Sequence, residues 1–159
     1  MMETVQPVTE QQVKTRLPAL GGSYILILKV TEACEITVGR KGRLNLRPGY
    51  YCYVGSAFGP GGLRARVGRH ARLDKAYRWH IDFLRAVSQL VGVFYSTDVT
   101  RLEDAWAESM QTWPGMEIPM PGFGASDSKT LSHLFYSQHR PNKDHFHALA
   151  GQGGAFLPS

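Results

Sequence analysis

At 159 residues, 43% of them hydrophobic, the chain suits one globular domain with a modest but sufficient core and leaves no room for a second of ordinary size. No apolar run approaches the length that crosses a membrane, which excludes a membrane span, and no secretory signal is read at the start. The two cysteines, Cys34 and Cys52, form no CxxC pair and read as buried thiols of a soluble, cytoplasmic protein.

The net charge of +5 is unevenly placed. Between Arg40 and Arg85 eleven Lys/Arg face only Asp74 and Asp82, whereas the rest of the chain is acidic on balance. Such segregation is the electrostatic footprint of a protein that meets a polyanion, most plainly nucleic acid, because each neutralised phosphate releases counterions. The plainer reading is a solvated basic face without a partner.

In chain order, residues 1–20 form a polar extension with helical character between Thr9 and Leu17, expected to pack loosely or not at all. Residues 21–140 should form the folded domain. After Gly21-Gly22, Ser23 to Val30 is apolar on both faces and reads as a central strand. Glu35 to Arg40 and Arg43 to Arg47 read as a basic hairpin turning at Lys41-Gly42. From Tyr50 a strand alternates, Tyr51 and Tyr53 on one face and Tyr50, Cys52 and Val54 on the other, until the glycines from Gly55 to Gly62 end it. The helix that follows carries an apolar stripe of Leu63, Val67 and Ala71. Arg66 and His70, four apart, stack on the flank of that stripe beside the strand of Tyr53, as residues of a site would.

Lys75 to Val87 reads as a second helix with Trp79, Phe83, Ala86 and Val87 toward the core. His80 within it is expected to be a hydrogen-bonded buried histidine, with Asp82 as its partner or as a surface charge. Leu90 to Ser96 is another strand. Thr100 to Trp113 follows as a helix burying Leu102, Trp106, Ser109, Met110 and Trp113, with Asp104 and Glu108 outward and Glu103 the one acid able to reach inward. A constrained loop from Pro114 to Asp127 leads to a short strand, Ser132 to Tyr136, and residues 141–159, rich in glycine, read as a flexible tail.

Gly22-Ser23-Tyr24, then Tyr53-Val54-Gly55, then Arg66 and His70, with a helical Glu downstream, resemble the ordered motifs of the GIY-YIG nuclease superfamily. The likeness extends from Gly21 to Tyr136 and is closest to a subfamily that also occurs fused to endonuclease-III-like proteins. Trp79 to Leu84, Gly122-Phe123-Gly124 and Ser132 to Tyr136 carry that closer match. Where the subfamily tends to have cysteines, this chain has Ser128 and Thr130, so no thiol or metal role attaches to that loop. The fold implied is α/β, a small, mainly antiparallel central sheet flanked by helices, here with an inserted basic β-hairpin.

The resemblance implies a Mg²⁺-dependent endonuclease on DNA rather than RNA, directed by substrate structure, with DNA-repair proteins as expected partners. It implies that Glu103 holds the single divalent ion, as a hard carboxylate should, and that Arg66 contacts the scissile phosphate through its planar guanidinium. Tyr24 and Tyr53 would position or deprotonate the water, with the phenol pKa brought down by Arg66 and the ion, and His70 would take or relay the proton. Arg64, Arg69 and Arg72 then read as clamps for neighbouring phosphates, and Arg40, Lys41 and Arg43 as a binding finger on the hairpin. The Gly59-Pro60-Gly61-Gly62 helix start offers backbone N–H groups to a phosphate, or is a plain turn.

Each residue also has a plainer reading. Thr100-x-x-Glu103 matches a capping box, the tyrosines suit a sheet core, Arg66 a surface ion pair and His70 a helix C-terminal cation. Two other functions remain open: a non-catalytic nucleic-acid-binding module on the same fold, and a domain whose basic face meets an acidic protein. Asp127, Ser132 and His133 lack the nucleophile elbow of a hydrolase triad, and His145 and His147 lack zinc-finger partners.

Overall fold

The computed structural model describes residues 6–125, 130–150 and 153–158. Its strands are β1 (Ser23–Val30), β2 (Cys34–Val38), β3 (Gly42–Leu46), β4 (Gly49–Ser56), β5 (Gln89–Ser96), β6 (Leu134–Ser137) and β7 (Gly154–Leu157). Its helices are α1 (Glu10–Arg16), α2 (Gly62–Ala71), α3 (His80–Arg85), α4 (Glu103–Met110) and α5 (Lys143–Ala150). Five strands pair antiparallel in the order β6-β4-β1-β5-β7, and β2 and β3 form a separate hairpin sheet around a 3₁₀ turn at Gly39–Lys41. The architecture expected from the sequence is the one that forms.

The alternation in β1 and β4 divides the core in two. Tyr24, Leu26 and Leu28 of β1 and Tyr51 and Tyr53 of β4 face a layer built by α1, α2, α3 and the hairpin. Ile25, Ile27, Tyr50, Cys52 and Val54 face α4 and α5, where Trp106, Met110 and Phe146 fill the space. Burial on the second face pushes the Cys52 thiol up to about 12, so it stays protonated.

Four expectations are corrected. Residues 8–17 are docked: Thr9 and Gln12 form a capping box that starts α1, and Val8, Val13 and Leu17 are buried. The described residues beyond Pro141 are also part of the fold: Phe146 is fully buried, Leu157 is buried, and β7 extends the sheet beside β5. The second helix is shorter than 75–87. The Asp82 carboxylate accepts from the backbone N–H of Arg78 and Trp79 at 2.7 and 2.9 Å, so the helix starts at His80, and Ile81 and Leu84 enter the core while Ala86 and Val87 are exposed. The helix expected over 100–113 contracts to α4, turned so that Ala107 is buried and Ser109 exposed. Asp127 and Ser128 lie outside the described residues. Among the described residues, no helix is long and apolar enough to cross a membrane.

If the C-terminal segment is docked in solution, Phe146→Ala should lower stability by about 3–5 kcal/mol in urea unfolding, the cost of an aromatic-sized cavity in a packed core. A loss below about 1 kcal/mol would show the segment detached.

Candidate active site

The site stands at one end of the sheet, where the two layers meet. Tyr24, second residue of β1, lies opposite Gly55 of β4, and Tyr53 is the diagonal neighbour on the same face. A Cβ at Gly55 would lie 2.5 Å from the Tyr24 ring and hydroxyl, so glycine is what lets the phenol lie flat across β4. From α2, His70 Nε2 sits 2.7 Å from Tyr24 Oη, with its ring 6.1 Å from that of Tyr53. From the opposite layer, α4 begins at the sheet end because the Leu102 N–H donates to Ser23 Oγ, at 3.1 Å, and Ser56 Oγ donates to Glu103 Oε1 at 3.2 Å. Thr100 makes no cap on this helix, so the capping-box reading of Glu103 is not realised. Tyr24, Tyr53, Arg66, His70 and Glu103, five residues from four elements, thus line one open cleft of about 100 Å³.

Trp79 closes that cleft, and sequence reasoning placed it in the core. Its ring lies 5.9 Å from His70, with the guanidiniums of Arg66 and Arg69 at 4.5 and 4.2 Å from its centroid. Arg66 also reaches the Ser56 carbonyl, at a long 3.5 Å. Two further polar residues escaped the sequence reading. Ser56 lines the cleft, and Arg101 donates to Ser56 Oγ at 3.4 Å while lying 5.1 Å over Phe58. Both stand next to residues already singled out, Ser56 directly after Tyr53-Val54-Gly55 and Arg101 two before Glu103, and that adjacency was the available signal.

Asp82, expected as a partner of His80 or a surface charge, is neither. It has no exposed surface and holds Arg69 in a bidentate pair at 2.9 Å, with Lys75 Nζ at 3.7 Å. Burial works to raise its pKa, but the Arg69 guanidinium and the two backbone N–H groups outweigh it and hold the carboxyl at about 2. Lys75, which burial brings down to about 8, donates to the carbonyls of Arg69 and His70, and Arg85 donates to those of His70 and Ala71. Two buried cations therefore cap the end of α2 that carries His70. His80 instead accepts from the Gly124 N–H at 3.0 Å; His133 bonds Asp104 at 3.1 Å and Ser132 Oγ donates to the Leu134 carbonyl, while Asp127 lies outside the described residues.

The electrostatics of the cleft differ from expectation in one respect. Burial, and then the Glu103 charge or the other phenol, pushes Tyr24 and Tyr53 up, and the lowering by Arg66 does not offset it. Burial and the neighbouring Lys75 push His70 down to about 3, against the pull of Asp82, so the imidazole is neutral at pH 7. His70 Nδ1 has no partner among the described residues. Tyr24 Oη and His70 Nε2 share one hydrogen bond, in which the donor is set by the tautomer of the neutral imidazole.

The basic residues are not equivalent. Arg69 is engaged with Asp82, the Ala76 carbonyl and Trp79, which makes it part of the scaffold before it is anything else. Arg64 is exposed on α2, its Nε also donating to the Leu17 carbonyl, and Arg72 is exposed at the C-cap of that helix. On the hairpin Arg40 is exposed, Arg43 is 3.7 Å from Glu35, and Lys41 reaches over Gly122, where a Cβ would lie 2.5 Å from its Nζ. The helix start is a turn rather than an anion cradle: the N–H groups of Gly62, Leu63 and Arg64 donate to the carbonyls of Gly59, Leu20 and Pro18.

No group of three or more His, Cys, Asp or Glu among the described residues could hold a metal ion. The cleft offers one half-buried carboxylate, Glu103, with Ser56 Oγ beside it. Such a donor set does not suit zinc, but it fits Mg²⁺, which keeps most of its waters and takes its other ligands from phosphate.

Because its folded-state pKa is about 3, the ring signals of His70 should not titrate between pH 8 and 5 in NMR spectra, whereas an ordinary imidazole moves near 6.5. A midpoint near 6.5 would show the cleft open to water. For Asp82, whose carboxyl is depressed in the folded state, the stabilising contribution is complete above the unfolded value of about 3.9 and is lost as pH falls through about 2. Asp82→Asn should therefore be less stable than wild type in urea at pH 5, by a margin that shrinks at pH 2.5; a constant margin would refute the ion-pair account.

No curated protein and no solved structure matches the chain. A family model described as Domain of unknown function DUF123 matches residues 23–153, from the first residue of β1 to the approach to β7. That span takes in every residue of the cleft, and the chain belongs to this family.

Proposed function

We propose that this protein hydrolyses phosphodiester bonds in DNA as a divalent-metal-dependent endonuclease, in the manner of the GIY-YIG nucleases it resembles. One observation carries the reading: the five residues singled out from separate stretches, Tyr24 to Glu103, line a single cleft. Core aromatics, a helix cap and a surface ion pair would have no reason to converge there.

In this reading the open mouth of the cleft admits one phosphodiester. Arg66, stacked on Trp79, presents its guanidinium to the non-bridging oxygens and stabilises the charge that grows on them. Glu103, steadied by Ser56, would hold Mg²⁺, which supplies positive charge for the leaving oxygen when bound. Tyr24, held by its hydrogen bond to His70 Nε2, orients the attacking water through its oxygen; the water gives its proton to solvent at the open mouth as its oxygen bonds to phosphorus and the bond to the leaving oxygen breaks. Tyr53 shapes the inner wall. On this reading the protein works on intracellular DNA, with repair proteins as partners.

A second reading is a nucleic-acid-binding module without cleavage. It is favoured by the raised phenols and the depressed imidazole, which leave no side chain in the cleft poised as a base at neutral pH.

The test is cleavage of a labelled panel of duplex, single-stranded, flapped, abasic and branched DNA and one RNA, with Mg²⁺, Mn²⁺ or EDTA. Metal-dependent nicking that Arg66→Ala and Glu103→Gln each reduce by about 100-fold or more, with melting temperature unchanged, is the expected outcome. Salt-sensitive binding with no cut in any substrate would replace the nuclease by the binding module.

A further inference from the structure

The cleft does not end at Arg66. A second hollow of about 210 Å³, between Arg78 and the Gly59-Pro60 turn, shares both Arg66 and Trp79 with it. A third, of about 570 Å³, shares Ala65 and Arg69 with the second and runs on between α1 and α2, where Lys14, Arg64 and Arg72 line it. The three hollows form one path over the outer face of α2. Six cations stand along it: Arg66, Arg78, Arg69, Arg64, Arg72 and Lys14. Two acids answer them, Glu10 at 3.2 Å from Lys14 and Asp82 behind Arg69. The path is therefore strongly electropositive.

Its shape selects among polyanions. The floor is Gly61, Ala65 and Gly68, so no long side chain obstructs it. Gly68 is buried where α2 packs on α1, and a Cβ there would make an ordinary van der Waals contact with Val13 Cγ1 at 3.8 Å. The groove runs between α1 and α2, with Lys14 on one wall and Arg64 and Arg72 on the other. A basic groove with an aromatic ring at its entrance, here Trp79, is the combination that holds single strands. One wall, α1, precedes the residues matched by the family model.

We infer that this path binds single-stranded nucleic acid, leading a strand out of the cleft past Trp79 and Arg78 to Lys14 and Arg72. The inference rests on the proposed function for its anchor at the scissile phosphate, but its test does not need cleavage. A substrate with a single-stranded arm beside the cut would be held by both parts.

Fluorescence anisotropy of labelled single-stranded DNA, single-stranded RNA and duplex DNA of one sequence, in EDTA over a range of salt, tests it. The proteins are Glu103→Gln and the same protein with Lys14→Glu and Arg72→Glu added; Lys143→Glu, on α5 in the opposite layer, is the control. The added pair should weaken single-strand binding at least tenfold and make the slope of log affinity against log salt shallower by about 1.4, as expected for two lost phosphate contacts. The control should change it less than twofold, and melting temperatures should match. DNA and RNA arms separate the two sources of the strand. If the pair leaves single-strand binding unchanged, or weakens duplex binding equally, the inference fails whatever the nuclease panel shows. If the panel shows no cleavage and these shifts appear, the path stands and the nuclease reading alone is lost.

Discussion

The cleft depends on a carboxylate that water does not touch. Asp82 accepts from the N–H groups that begin α3, pairs with Arg69 from α2, and has Lys75 alongside. These bonds decide where Trp79 stands, and Trp79 decides where Arg66 stands. The same network, through Lys75 and Arg85, closes the carbonyl end of α2 and holds His70 under Tyr24. A buried ion pair adds little net stability over a well-packed apolar alternative, because desolvation cancels much of its attraction. What it supplies is geometry: Arg69 and the α3 backbone satisfy Asp82 in one arrangement only, and loss of any partner strands a buried charge.

A second constraint is the meeting of two layers that share no core. Tyr24, Tyr53 and His70 belong to the layer of α2, whereas Glu103 belongs to the layer of α4. Ser23 and Ser56, at the paired ends of β1 and β4, reach across to Leu102 and Glu103 and dock the start of α4 at the sheet end. Tyr24 and His70 are buried, Tyr53 is half-buried and all three are neutral, while Glu103, Arg66 and Arg101 ring the mouth with charge. An anion entering there meets guanidiniums in a region of reduced dielectric, where each contact is stronger than in open water. Farther along α2 the guanidiniums stand in solvent, and their attraction is longer in range, weaker and sensitive to salt.

The sheet was legible because its signal is local. Period-two alternation in Tyr50 to Val54 and the doubly apolar Ser23 to Val30 specify strands whatever they pack against, and the glycine-rich turn before Leu63 ends one of them. The order of Tyr24, Tyr53, Arg66, His70 and Glu103 was likewise visible. The docked ends were not, since a few large apolar residues, Val13, Leu17, Phe146 and Leu157, lie among polar and glycine-rich neighbours that dominate any local average. Asp82 was misread for a related reason. Its surroundings in sequence are those of a helix surface, and the Arg69 that buries it comes from another helix.

The sequence by itself determined the alternating strands, the hairpin and the basic stretch between Arg40 and Arg85, because backbone period and side-chain type are properties of neighbours along the chain. Only the tertiary structure decided which of those cations face an open cleft and which are consumed in holding it, that both phenols are neutral, and that the groove of α1 and α2 continues the cleft. Burial and pairing are set by residues distant in sequence, and the charge state of a buried group follows from them.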